Sequence, residues 1–73
     1  MNANRKQYFG QRLKAARKMK GLSLQALSDL IGNIVSKQAI NKYEEGQMVP
    51  SPNVIVDLSR ALNVDVDFLL KGK

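Results

Sequence analysis

A serine at position 36 and a glycine at position 46 enclose a run whose pattern allows little besides a short amphipathic helix. The hydroxyl of Ser36 can accept a hydrogen bond from a free amide of the first helical turn, and Gly46 can adopt the left-handed conformation that ends a helix. Ile40 and Tyr43 are three residues apart, so they share an apolar face. The opposite face carries Lys37, Gln38, Asn41 and Lys42. The sequence therefore predicts a helix of about two to three turns with one polar face.

This polar face has two interpretations. Lysine, glutamine and asparagine side chains donate hydrogen bonds to phosphates and base edges of DNA, and glutamine or asparagine can pair with adenine through two hydrogen bonds. The same residues also form an ordinary solvated face, which is the more frequent outcome for an isolated helix. The surrounding sequence has to decide between the two.

Similar start and end signals predict two helices before this one. The first covers residues 5–20 and ends at Gly21, and the second begins after Ser23 and ends at Gly32. The apolar stripe of the first helix consists of Phe9, Leu13 and Ala16. About four residues including a glycine join the second helix to the third, which is typical of a helix-turn-helix. In that unit the second of the two helices enters the DNA major groove.

Two more helices are predicted after Gly46. Ser51 caps the fourth, Pro52 occupies its first position and Asn63 ends it, while Asp65 caps a short fifth helix. The sequence thus predicts an all-α fold of five helices in one domain, residues 1–73, with a core at about 5–70 and the helix-turn-helix at about 23–46. Predicted core residues are Leu13, Leu27, Ile31, Val35, Ile40, Tyr43, Leu58, Leu62 and Leu69.

The charge of the chain favours a polyanionic partner. Its formal net charge is +6, and seven of its twelve basic residues lie within the first twenty positions, where no acidic residue occurs. No apolar run approaches the roughly 18 residues of a membrane span, so no membrane partner is expected. The aromatic residues are dispersed and form no stacking platform, which disfavours RNA relative to double-stranded DNA.

Enzymatic and metal-dependent functions are disfavoured. The chain has no cysteine and no histidine, its carboxylates are few, and it has no glycine-rich phosphate loop. We therefore predict no catalytic residue, no metal site, no cofactor and no enzyme activity.

Taken together, the residues resemble the lambda-repressor-like helix-turn-helix family, of the Cro/C1 and xenobiotic-response-element type. The resemblance covers about residues 9–70 and rests on Leu13, Arg17, Gly21-Leu22-Ser23, Leu27, Gly32, Val35-Ser36, Ile40, Tyr43-Glu44, Gly46, Pro50-Ser51 and Ala61-Leu62. It implies a compact five-helix domain that binds DNA in a sequence-specific manner. It also implies a transcriptional regulator, usually a repressor, in the cytoplasm of a bacterium or phage-infected cell and associated with the nucleoid.

The resemblance also implies roles for individual residues. Lys37 and Gln38 match the principal base-reading positions, Lys42 matches another groove-facing position, and Asn41 lies between them, within reach of a base or a phosphate. Ser23 and Ser36 match helix caps whose neighbouring amides contact phosphates, and the backbone amides around Gln47 and Met48 match a loop that also contacts the DNA strand. Arg17 and Glu44 match a pair that forms an internal salt bridge in many members, so both are expected to be structural.

The chain departs from the family pattern at two places. The turn between the second and third helices is two residues longer than the commonest pattern, through Asn33 and Ile34. Position 24 is leucine, where many members carry a glutamine that binds phosphate. Either that phosphate contact is lost, or Leu24 packs against a neighbour or a sugar.

A protein partner is the main alternative to DNA, because the same fold serves in antitoxins and adaptors. Apolar side chains expected to point outward are Leu24, Leu30, Val56, Val66 and Phe68. Val66 and Phe68 flank Asp67 and form a candidate surface for a homodimer on DNA. The alternative for Phe68 is that it covers the edge of the core.

Overall fold

The computed structural model describes the backbone of residues 3–71 and the side chains of residues 8–71. This part of the chain contains five α-helices and no strand, which confirms the all-α prediction. The helices are α1 (Ala3–Met19), α2 (Leu24–Leu30), α3 (Lys37–Glu44), α4 (Pro52–Leu62) and α5 (Val66–Lys71). None of them is long and apolar enough to cross a membrane.

The first helix begins two residues before its predicted start, and the basic side chains of Arg5 and Lys6 lie outside the described ones. It packs against α3 on one side and α5 on another. Helix α3 is therefore held between α1 and α2, and its position depends on both.

Serine caps fix the starts of the two central helices. The hydroxyl of Ser23 accepts a hydrogen bond from the Ala26 amide at 3.0 Å, and the hydroxyl of Ser36 accepts one from the Ala39 amide at 3.1 Å. Ser51 occupies the corresponding position before α4, but its side chain makes no cap hydrogen bond. The prediction of a side-chain cap at Ser51 was therefore wrong, and Pro52 alone supplies the start signal there.

The long turn between α2 and α3 closes through the buried hydroxyl of Ser28. That hydroxyl donates to the Val35 carbonyl oxygen at 2.8 Å, and the Asn33 side-chain oxygen lies 3.0 Å from it. Gly32 and Asn33 both have positive φ angles, +71° and +58°, which reverse the chain direction. The two extra residues are thus accommodated by a left-handed pair, and Ile34 stays 61% exposed.

The core lies where all five helices meet, and each of them contributes to it. Its buried apolar residues are Phe9, Leu13, Ala16, Leu27, Ile31, Ile40, Tyr43, Val54, Ile55, Leu58, Leu62 and Leu69. Of the nine predicted core residues only Val35 is not fully buried; it packs against the core from the turn. Val54 was not predicted, although it lies in α4 four residues before Leu58, a spacing that places both side chains on one face.

Candidate nucleic-acid interface

The polar face of α3 is exposed along its whole length. Lys37, Gln38, Asn41 and Lys42 are all exposed, whereas Ile40 and Tyr43 on the opposite face are buried. Three of the four side chains, those of Lys37, Gln38 and Asn41, line an open groove that α3 shares with the beginning of α2. The geometry therefore brings the predicted base-reading residues together on one surface, with Lys42 on the same face one turn after Gln38.

The beginning of α2 forms the other wall of this groove. Ser23 and Leu24 line it, and Ser36 is exposed at the start of α3. Both serine side chains are already engaged as helix caps, so their hydroxyls hold the helix starts in place. The predicted phosphate-contacting serines thus lie at the rim of the same surface as the side chains of α3.

The loop after α3 corrects part of the prediction for Gln47. Gly46 has a φ of +76°, and the Gln47 amide donates to the Lys42 carbonyl oxygen at 2.9 Å. This is the hydrogen bond that closes a left-handed helix end, and it occupies the Gln47 amide. That amide is not available for a phosphate, whereas Gln47 and Met48 both expose their side chains at this end of α3.

A buried ion pair ties the end of α3 to α1. Nε of Arg17 donates to Oε2 of Glu44 at 2.6 Å, and Nη2 donates to Oε1 at 3.0 Å, so the contact is bidentate. Nη1 of Arg17 donates to the Leu22 carbonyl oxygen at 2.8 Å. Glu44 is only 8% exposed, which takes its charge away from the polar face of α3. The predicted pair is thus present, and it joins α1, the following turn and α3.

Arg17, a member of this pair, and Tyr43, which precedes Glu44, both have raised pKa values. The hydrogen bond from Arg17 to Glu44 raises the pKa of the guanidinium, and the Glu44 charge acts in the same direction, while burial acts against both. Burial raises the pKa of the Tyr43 hydroxyl. Both residues therefore keep their usual charge at neutral pH, and Arg17 remains the cation that Glu44 needs.

Gly10 is a residue whose importance sequence reasoning missed. A Cβ atom placed on it would lie 2.5 Å from the carbonyl oxygens of Tyr43 and Glu44, which is far inside van der Waals contact. Only glycine lets α1 approach the end of α3 this closely. A glycine within an otherwise helical pattern was the available signal, because such a residue usually has a packing or functional reason.

The candidate dimer surface on α5 is less exposed than predicted. Phe68 and Val66 are half-buried and pack against the core. The Phe68 ring lies 5.7 Å from the guanidinium carbon of Arg12, which also lies 5.5 Å from the Tyr8 ring. Phe68 therefore points outward only in part, because α1 covers one side of its ring, and both alternatives for it stay open.

The remaining predicted outward side chains divide into two groups. Leu30 is 56% exposed and Val56 is 37% exposed, as expected. Leu24 is half-buried, because it packs against the core on one side while lining the groove on the other. Its actual position is thus at the boundary between the core and the polar face of α3.

Comparison with known proteins decides the family. A Helix-turn-helix family model matches residues 13–69, which contain the last seven residues of α1, all of α2, α3 and α4, and the first four residues of α5. The chain belongs to the Cro/C1-type helix-turn-helix family. Its members are DNA-binding transcriptional regulators and not enzymes.

Two curated relatives illustrate the family. The chain is 44% identical over 64 residues to the SPbeta prophage-derived uncharacterized HTH-type transcriptional regulator YonR of Bacillus subtilis strain 168, covering 88% of the chain and 57% of YonR. It is 36% identical over 66 residues to Repressor protein C2 of Salmonella phage P22, covering 90% of the chain and 30% of that protein. The chain therefore corresponds to little more than half of YonR and to about a third of C2.

Solved structures agree with this assignment. The P22 c2 repressor in complex with synthetic operator 9T superposes with a TM-score of 0.82 at 35% identity, covering 89% of the chain and 96% of the repressor chain. The restriction-modification controller protein C.AhdI from Aeromonas hydrophila superposes with a TM-score of 0.80 at 34% identity, covering 88% and 94% of the two chains. The described helices therefore have the architecture of a repressor domain that was solved on DNA.

Proposed function

We propose that this chain binds double-stranded DNA in a sequence-specific manner and represses transcription, reading the major groove with α3. The observation that supports this most strongly is the exposed polar face of α3, which is opposite its buried face and shares a groove with α2. A helix of this diameter fits the major groove, where the base pairs present distinguishable patterns of donors and acceptors.

Each residue of the face has a proposed role. Gln38 and Asn41 carry amides that can pair with adenine through two hydrogen bonds. Lys37, at the beginning of α3, reads a base edge, and Lys42 contacts either a base or a phosphate. Because Glu44 is bound to Arg17, the nearest buried carboxylate does not oppose the approach of phosphates. Gln38 is the residue that we expect to contribute most to sequence preference.

The phosphate contacts are proposed at the two ends of this surface. Ser23 and Ser36 hold the first turns of α2 and α3, whose amides can donate to phosphate oxygens. After α3 we assign the backbone contact to Met48, because the Gln47 amide already donates to Lys42. These contacts fix the register of α3 in the groove and carry no sequence information themselves.

A homodimer on DNA follows from the size of the module. A single module of this kind buries only about 600–1,000 Å² of its surface on DNA, which limits specificity. Two copies related by a two-fold axis can read half-sites about 34 Å apart. Val66 and the exposed part of Phe68 remain the proposed contact. Binding to an isolated half-site as tightly as to the full palindrome would contradict this dimer.

Repression is the proposed direction of regulation, because one of the relatives is named a repressor. The relatives come from a bacterium and a phage, so we place the regulator in the cytoplasm of a bacterial or phage-infected cell, at the nucleoid. No cofactor is proposed, since the four side chains of α3 can contact DNA directly.

Selection of bound duplexes from a random pool tests this function. We expect one enriched motif with an imperfect two-fold symmetry, and we expect a variant carrying both Gln38→Ala and Asn41→Ala to lose that motif. A variant with Leu30→Ala, which changes an exposed residue outside the groove, should select the same motif. If the unmodified chain enriches no motif, the DNA-reading function is wrong and a protein-interaction role in an antitoxin or adaptor is favoured.

A further inference from the structure

Leu24 is an apolar side chain in a groove that is otherwise lined largely by polar and charged residues. It is the first residue of α2, it packs against the core on one side, and its other side lines the groove with Gln38 and Asn41. The core contact covers one side of this leucine and leaves the other side exposed to the groove. The groove therefore contains an apolar surface beside the two amide side chains of α3.

The polar neighbours of Leu24 on α2 are engaged elsewhere. The Ser23 hydroxyl accepts from the Ala26 amide, and Nε2 of Gln25 donates to Oδ1 of Asp29 at 3.0 Å, along α2 itself. Both side chains also line the groove, but these two bonds run along α2 and its cap. The α2 wall of the groove thus offers a ligand an apolar contact at Leu24.

The major groove of DNA presents one apolar group on its base edges, the C5-methyl group of thymine. We propose that Leu24 contacts a thymine methyl group, and that it makes the chain prefer thymine at one position of each half-site. This inference rests on the proposed function, since it needs α3 in the major groove. Contact with a deoxyribose is disfavoured because Leu24 shares its groove with Gln38 and Asn41, which are proposed to read base edges.

The test compares thymine with deoxyuridine, which lacks only the methyl group. The selected duplex is prepared with each thymine replaced singly, and binding is measured by fluorescence anisotropy. For the unmodified chain, one replacement in each half-site should weaken binding roughly threefold to fivefold, the effect of one buried methyl group. Leu24→Ala should bind the thymine and deoxyuridine duplexes equally well.

Three further variants separate this contact from a general loss of structure. Leu24→Met keeps an apolar side chain and should retain the preference for thymine, whereas Leu24→Gln keeps the length and should lose it. Leu30→Ala changes an exposed leucine of the same helix and should retain it. Because the readout is a ratio of two affinities, a modest loss of stability in Leu24→Ala does not affect it.

Two results would overturn the inference while leaving the proposed function intact. An equal loss on both duplexes in Leu24→Ala would indicate a sugar or packing contact instead of the methyl group. A selected motif in which no thymine replacement matters to the unmodified chain would show that no methyl group is read. Failure of the proposed function would appear separately, as the absence of any enriched motif.

Discussion

The two faces of α3 are built from neighbouring residues and have opposite roles. Ile40, Tyr43 and Glu44 are buried against α1 and the core, whereas Gln38 and Asn41, a few residues away, are exposed along the groove. The difference shows that position and partner, and not polarity, decide which side chains stabilise the fold. Glu44 is charged and yet structural, because Arg17 holds both of its carboxylate oxygens.

We therefore expect that substitutions on the buried face of α3 alter stability, whereas substitutions on its exposed face alter DNA binding. The largest effect is expected for Glu44→Ala. It leaves the Arg17 guanidinium without its carboxylate, and breaking a buried ion pair typically costs about 3–5 kcal/mol. Thermal and urea unfolding measure this loss, and the selected DNA motif should not change at a temperature where the variant is folded.

Glu45→Ala is the matched control for this experiment, because it removes a carboxylate from the next residue, which is exposed. Its unfolding should match that of the unmodified chain closely. An unchanged melting temperature in Glu44→Ala together with a new sequence preference would show that Glu44 belongs to the reading face.

Gly10→Ala tests the other contact of the buried face. Alanine normally stabilises a helix relative to glycine by roughly 0.5–1 kcal/mol. Here its Cβ would meet the carbonyl oxygens of Tyr43 and Glu44 at 2.5 Å, so we expect a net destabilisation of about 1–3 kcal/mol. Lys14→Ala, at an exposed position of the same helix, is the control. A more stable Gly10→Ala would mean that the approach of α1 to α3 has no energetic consequence.

The smallest effect is expected for Lys42→Ala, on the exposed face. Each phosphate contact contributes about −0.9 to the slope of the logarithm of the binding constant against the logarithm of salt concentration. Removing Lys42 should make this slope shallower by about one unit if it contacts a phosphate. Lys18→Ala should change the slope less, because that residue belongs to α1 and not to the polar face of α3. Equal changes in the two variants would indicate a general field without a specific contact.

Local sequence signals predicted the helices and most of the core. The caps at Ser23 and Ser36, the left-handed residues at Gly46 and Asn63, and the apolar periodicity each depend on a few neighbouring residues, so the chain itself contains them. The exposed face of α3 followed from the same periodicity. Its proposed role in reading DNA came from the resemblance and not from the pattern.

Contacts between distant segments were the part that sequence could not supply. The need for glycine at position 10 arises from the carbonyl oxygens at the end of α3, more than thirty residues later. Phe68 is partly covered because Arg12 of α1 lies over its ring, and Ser28 is buried because the long turn folds back onto it. Each of these depends on how helices are placed in space, which a local pattern does not specify.

The measurement that tests the central claim most directly is the effect of Gln38→Ala on two DNAs and on unfolding. We expect a loss of roughly 1–3 kcal/mol in binding free energy on the selected duplex, a much smaller loss on random duplex, and an unchanged melting temperature. Such a result would assign sequence reading to the exposed face of α3. Equal losses on the two DNAs, or a loss that follows a lower melting temperature, would contradict the account.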